Sequence, residues 1–220
     1  GYELIEINDT SNPVWQDYHG IVLSQEEWKN IARGGMSHAK QRETDIESWL
    51  LALSEGQTII QLSETAEPPI IMRKNEKLIC ILNDISLLEP RTVRSGIYGG
   101  PSFRIARGMY VRLGAFRSES HEEIQQVDKG TLVLTNKRLV FLGSKRTLEI
   151  DLRKILSMEP YSDALGVRIS GKTRTIYFSG MDKTKFTLTF TDQWGTRTYE
   201  EPFTGLVLMC AIKGMIKQIE

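Results

Sequence analysis

Gly130-Thr-Leu-Val-Leu-Thr-Asn-Lys-Arg-Leu-Val-Phe-Leu142 is the stretch whose reading decides the fold. Thr131–Thr135 and Arg138–Leu142 are rich in β-branched and apolar residues, and Asn136-Lys137 between them is a tight-turn signal. Two antiparallel strands follow from that pattern. Gly143-Ser144-Lys145 turns the chain again, and Thr147–Ile150 reads as a third strand.

The same style of sequence extends outward. Downstream, strands are predicted at Ile155–Met158, Gly166–Ile169, Thr175–Phe178 and Phe186–Phe190, with turn residues between them. Trp194 in Thr191-Asp-Gln-Trp-Gly195 is expected at a hairpin tip. Upstream, Leu78–Leu88 is an apolar strand interrupted by Asn83-Asp84, and Met109–Leu113 alternates with a period of two. Ser118–Asp128 is polar and acidic and reads as a loop or short helical turn. Short strands at regular spacing imply an all-β sandwich or barrel. The chain closes differently: Leu208, Ile212, Met215, Ile216 and Ile219 share one face of a helix predicted over Gly205–Glu220. An open barrel exposes an apolar mouth, and such a terminal helix can plug it.

Towards the N-terminus the period becomes helical. Ser24 and Glu27 have capping-box spacing, predicting a helix through Ala32 that ends at Gly34-Gly35. Ile46, Trp49, Leu50 and Leu53 recur at helical spacing within Ser37–Ser54, with Gly56 placed to end that helix. Pro68-Pro69 separates the two characters. The expected organisation is a small helical extension over residues 1–69 and a β-rich domain over 70–220.

The Gly130–Phe141 run resembles the hairpin of bacterial pleckstrin-homology-like and GRAM-like (PH/GRAM-like) domains, where a G-x-L-x-L-T-N-K-R-L-x-F pattern is frequent. Leu152–Tyr161 is similar to the strand that follows it, and the terminal helix lies where such domains place theirs. The resemblance spans about residues 76–220, with 91–128 as an insertion. It implies a mainly β, α+β fold: an antiparallel β-barrel capped by a C-terminal helix. For function it implies binding in several forms, since PH-like barrels take lipids, peptides, other domains or copies of themselves. The Lys/Arg-x-Arg pattern of phosphoinositide-binding members is not reproduced by Arg91, Arg94, Arg104 and Arg107.

Charge locates the candidate surface. The 220 residues carry 28 basic and 28 acidic side chains. By segment, residues 1–90 hold 15 acids and 7 bases (−8), 91–185 hold 18 bases and 9 acids (+9), and 186–220 hold 4 acids and 3 bases (−1). This asymmetry points to a charged partner or to two parts that attract each other. Between Arg91 and Arg117 there are six arginines and no lysine or acid: Arg91, Arg94, Arg104, Arg107, Arg112 and Arg117. Arginine suits planar, two-pronged contact with phosphate or carboxylate, and the Gly96–Gly100 glycines allow close backbone approach. The competing reading is a solvated strand face paired with acids of the same chain. Lys137-Arg138 and Lys145-Arg146 occupy successive turns and are expected to share one basic rim; ordinary polar turns are the alternative.

Catalytic and cofactor patterns do not emerge. Gly96–Gly100 lacks the ending of a phosphate-binding P-loop and the spacing of a dinucleotide loop. His19, His38 and His121 are far apart, and Cys80 and Cys210 sit singly in apolar runs, so neither metal spacing nor a cofactor is indicated. The buried thiols fit a reducing, cytoplasmic setting. The chain opens on Gly1 and reads as processed or as part of a longer protein, with room for a tether upstream. The expected function is non-enzymatic binding or scaffolding through a basic Gly/Arg-rich surface. The expected partner is a protein or a second copy; peripheral binding to anionic lipid is the first alternative and an enzyme of unrecognised class the second. Nucleic acid is disfavoured because only Phe103 and Tyr110 interleave the arginines.

Overall fold

The computed structural model describes residues 2–5, 14–17, 22–60, 68–93, 104–106, 109–110, 121–193 and 195–219. Two compact units divide at Trp49/Leu50.

The first unit holds a small antiparallel sheet of β1 (Tyr2–Ile5), β2 (Val14–Asp17) and β3 (Val22–Leu23), followed by α1 (Gln25–Ala32) and most of α2 (His38–Ser54). The expected capping box is present. The Ser24 hydroxyl accepts from the Glu27 N–H at 3.2 Å, and Glu27 accepts from the Ser24 N–H at 3.0 Å. The second Glu27 oxygen accepts the first N–H of α2, at His38, at 3.0 Å. One carboxylate thus satisfies orphan donors of two helices.

The second unit is built on a seven-stranded antiparallel sheet. Its strands are β4 (Leu78–Val93), β7 (His121–Thr135), β8 (Arg138–Gly143), β9 (Thr147–Asp151), β10 (Ile155–Pro160), β11 (Ala164–Ile169) and β12 (Ile176–Ser179). The short β5 (Arg104–Ala106) and β6 (Met109–Tyr110) pair with each other between β4 and β7. The order across the sheet is β10-β11-β12-β4-β7-β8-β9. β13 (Lys185–Asp192) and β14 (Gly195–Pro202) make a separate hairpin, and α3 (Gly205–Ile219) ends the chain.

Long β4 joins the halves. It pairs along its length with β7 and, at Ser86–Leu88, with β12. Asn83-Asp84 forms a bulge between the Leu82↔Leu132 and Ile85↔Gly130 pairs, with Asp84 at φ +62°. A bulge bends its strand and increases twist. The resulting curl brings Phe141 on β8 within 6.0 Å, ring to ring, of Phe178 on β12. Three strand spacings of about 4.8 Å would keep these rings apart in a flat sheet. Leu82, Ile85, Leu132, Leu134, Leu165 and Val167 fill the concave side, with Leu208, Ile212 and Met215 of α3 buried as well.

Two expectations need correction. The expected barrel is not closed among the described residues: β9 and β10 are open edges. A 3₁₀ turn over Leu152–Lys154 joins them, and Ile155 immediately takes Ile169 of β11 as its partner, so β10 has no register with β9. Second, the polar stretch before Asp128 is strand rather than loop. β7 begins at His121, with Glu122 and Glu123 opposite Thr92 and Arg91. Neither Gln125 nor Gln126 is buried, so this part of the ladder carries no apolar alternation.

A basic groove assembled from three segments

The Thr135–Arg138 turn, centre of the most recognisable sequence stretch, is a clasp. The Thr135 hydroxyl donates to Glu76 Oε1 at 2.8 Å. Asn136 Oδ1 accepts the Lys77 N–H at 2.7 Å, and Lys137 Nζ donates to the Lys74 carbonyl at 2.6 Å. Arg138 donates through Nε and Nη2 to both oxygens of Glu76, through Nη2 to the Ile71 carbonyl, and through Nη1 to Glu149. These bonds pin residues 71–77 beside the sheet before β4 begins. Lys137 and Arg138, expected on a binding rim, are engaged by partners within the chain, Arg138 buried and Lys137 half-buried. They also lie at the opposite end of β8 from Lys145 and Arg146, about 20 Å away for six residues at 3.4 Å each. Successive turns of a meander must alternate ends, so one shared rim is excluded.

The other end carries the groove. Glu89, Pro90 and Arg91 near the end of β4, Arg146 in the β8–β9 turn, and Gly171–Ile176 leading into β12 line a depression of about 680 Å³. Each wall has an identifiable cause. β12 pairs with β4 through Tyr177↔Leu88, so the residues just before β12 lie beside those just after Leu88. Gly171 turns the chain there at φ +80°, a conformation most side chains avoid.

The Arg146 wall is held by Asp128, which is buried on β7. Its carboxylate accepts from the Ser144 hydroxyl at 3.0 Å and from the Lys145 N–H at 2.9 Å. Burial pushes the Asp128 carboxyl up, but N–H donors at Lys145, Lys129 and Arg146 and the Ser144 hydroxyl outweigh it and hold it below the usual range. Gly143 is required beneath it, because a Cβ there would fall 2.0 Å from Asp128 Oδ2.

Among the described residues, therefore, four cationic side chains border one depression, Arg91, Arg146, Lys172 and Arg174, and one acid shares it. Glu89 pairs with Arg146 at 2.8 Å. No protein-family model matches this chain, and neither does any curated protein or solved structure. The groove is thus read from its own chemistry.

Of the residues singled out from sequence, Arg91 and Arg146 meet at this groove. Lys145 is exposed in the same turn as Arg146. Arg104 belongs to β5, and its side chain lies outside the described residues, as do Arg94, Arg107, Arg112, Arg117 and Trp194 altogether. Lys172 and Arg174 are the residues that sequence reasoning misses. Gly171-Lys-Thr-Arg-Thr175 does carry a signal: a Lys-x-Arg pair behind a turn glycine, at a later hairpin than the one searched. Among the described residues no group of His, Cys, Asp and Glu is arranged to hold a metal, and no helix is long and apolar enough to cross a membrane.

Proposed function

We propose that this chain is a non-catalytic PH/GRAM-like binding module whose groove receives an anionic segment of a protein partner. The observation carrying this reading is the convergence of Arg91, Arg146, Lys172 and Arg174, from three separated segments, around one open depression. Guanidinium groups bind carboxylate or phosphate in two-pronged geometry, and several around a low-dielectric concavity raise the local anion concentration. The lining supplies cations and threonine hydroxyls without a histidine or cysteine, which suits holding an anion rather than transferring a group. The test is titration of the full chain with a fluorescent Asp/Glu-rich peptide and with its phosphoserine counterpart. Saturable binding that weakens with salt and is lost in a Lys172→Ala/Arg174→Ala variant is the expected result. Indifference of both peptides to that variant would refute the groove as the site.

One observation favours a second reading, an anionic membrane surface. Leu156 is 66% exposed on β10, two residues after Lys154, whose carbonyl accepts from Ser170 at the start of the Gly171 turn. A bare leucine next to basic turns suits an interfacial anchor. Co-sedimentation with phosphatidylcholine vesicles, with and without phosphatidylserine, separates the readings: a gain specific to phosphatidylserine and lost in Leu156→Ser would favour the membrane.

A further inference from the structure

The β13–β14 hairpin has no third strand among the described residues. Its register runs unbroken from Lys185↔Pro202 to Asp192↔Gly195. One step further, the Phe203 N–H donates to the Thr184 carbonyl at 2.8 Å. Hydrogen-bonded pairs alternate along an antiparallel ladder. Phe186↔Glu201, Leu188↔Tyr199 and Phe190↔Arg197 are therefore the bonded rungs. The N–H and C=O groups of Thr196, Thr198 and Glu200 point away from β13, and all three residues are exposed. The inner face is anchored by buried Phe186 and Leu188, with Phe186 packed edge-on to Phe203 at 5.9 Å.

β14 carries charges of both signs, Arg197, Glu200 and Glu201, and within the hairpin Arg197 pairs with Asp192 at 2.9 Å and Glu200 with Lys185 at 2.9 Å, so its edge is not lined by one repelling charge. Its register has no bulge, it contains no lysine, and its one proline, Pro202, stands at the end. The edges of the seven-stranded sheet, and β13, differ from it. β10 is bulged between Ile155 and Ser157 and lies against α3, Glu149 of β9 is engaged by Arg73 and Arg138, and β13 carries Lys185.

We propose that β14 is a self-association edge, pairing antiparallel with β14 of a second copy about a two-fold axis at Tyr199. In that register Thr198 and Glu200 of the two copies exchange both ladder bonds, and the Thr196 N–H meets the Pro202 carbonyl. Between those rungs, Arg197 faces Glu201 on both sides of the axis and Tyr199 faces its own copy. Unbonded rungs are the closer ones, at about 4.5 Å between Cα atoms, where opposite charges contribute most. The charge pattern selects this register. Slipping one step one way sets Arg197 against Tyr199; slipping the other way sets Glu200 against itself. The product is a continuous four-stranded sheet, β13-β14-β14-β13. Pairing through this hairpin is independent of any ligand in the groove.

The test is sedimentation equilibrium of the full chain beside Thr198→Pro. The Thr198 N–H points away from β13, so proline there spares the hairpin while removing two bonds from the proposed ladder. A concentration-dependent dimer weakened about tenfold or more by this substitution is expected. Circular dichroism checks that the variant folds. Independently, Tyr199→Cys should form an intermolecular disulfide across the axis under mild oxidation, since unbonded antiparallel rungs meet disulfide geometry, whereas Thr189→Cys on β13 should not. A chain that stays monomeric up to roughly 1 mM overturns the proposal. So does a dimer indifferent to Thr198→Pro, or one that cross-links through residue 189 and not 199.

Discussion

Arg138 holds both oxygens of Glu76, through Nε at 2.7 Å and Nη2 at 3.0 Å, across 62 residues of sequence. The Glu76 side chain is fully buried and that of Arg138 is 9% exposed. Breaking a buried pair strands the remaining charge, at a cost of about 3–5 kcal/mol. Arg138→Ala should therefore lower the denaturant-unfolding free energy by that order. Arg138→Lys should recover little, because an ammonium cannot bridge two oxygens in the guanidinium geometry.

The same pair sets an acid limit. Burial pushes the Glu76 carboxyl up, but donation from Arg138, the Arg73 N–H and Thr135 outweighs it and holds the group at about 2 against an ordinary 4.5. The unfolded chain takes up a proton near pH 4.5 that the folded chain refuses until about 2. This contribution is complete above the unfolded value and disappears as pH falls through the folded one. Urea unfolding between pH 6 and pH 2 (about one-unit steps) should show stability falling in that window. Glu76→Gln should be less stable at neutral pH and flatter across the window. Asp151, held at about 2 chiefly by Arg153, retains its own share of the slope.

Glu89 occupies part of the basic groove by pairing with Arg146. Neutralising it removes an internal competitor for an incoming anion. Glu89→Gln should tighten anionic-peptide binding by about two- to fivefold at low salt, with the gain shrinking as salt screens the charges. Unchanged affinity beside intact Lys172/Arg174 dependence would show that Glu89 does not compete.

Gly143→Ala should act on the groove from beneath. The new methyl must displace the Asp128 carboxylate, which braces the Ser144–Arg146 turn. A loss of about 1–3 kcal/mol in stability is expected, together with weaker anion binding as Arg146 loses its support.

Cys80 is buried at 3% exposure, and burial pushes its thiol up to about 12. Iodoacetamide at pH 8 should leave it unmodified in the folded chain and label it in urea. Cys210 is buried too, its thiol raised by burial, and should follow the same course.

Local periodicity carries most of the fold into the sequence. The strands around Asn136-Lys137 are legible because turn chemistry agrees with the short apolar, β-branched runs that flank it, buried continuously over 132–135 and 138–141, and α1 because Ser24 and Glu27 cap it. The start of β7 is not legible, since Gln125 and Gln126 are exposed and the stretch shows no apolar alternation that would mark a strand. The groove is legible only in part. Six arginines in one stretch draw attention to 91–117; of these Arg91 borders the groove, joined there by residues 146, 172 and 174, while the side chains of the other five lie outside the described residues. Convergence depends on β4 accepting β12 at Leu88 and on Asp128 reaching the 144–146 turn, and neither contact leaves a local pattern. Arg138 misleads for the same reason: its carboxylate partners are Glu76 and Glu149, remote in sequence.

The groove's three walls belong to segments that are adjacent only when the sheet is assembled. Any anion gripping all three therefore binds the native state and not the unfolded chain. Occupancy is thereby linked to melting: a ligand at 100 times its dissociation constant adds about 2.7 kcal/mol to stability. A thermal-shift survey of anions is accordingly a direct test of the proposed anion binding at this groove.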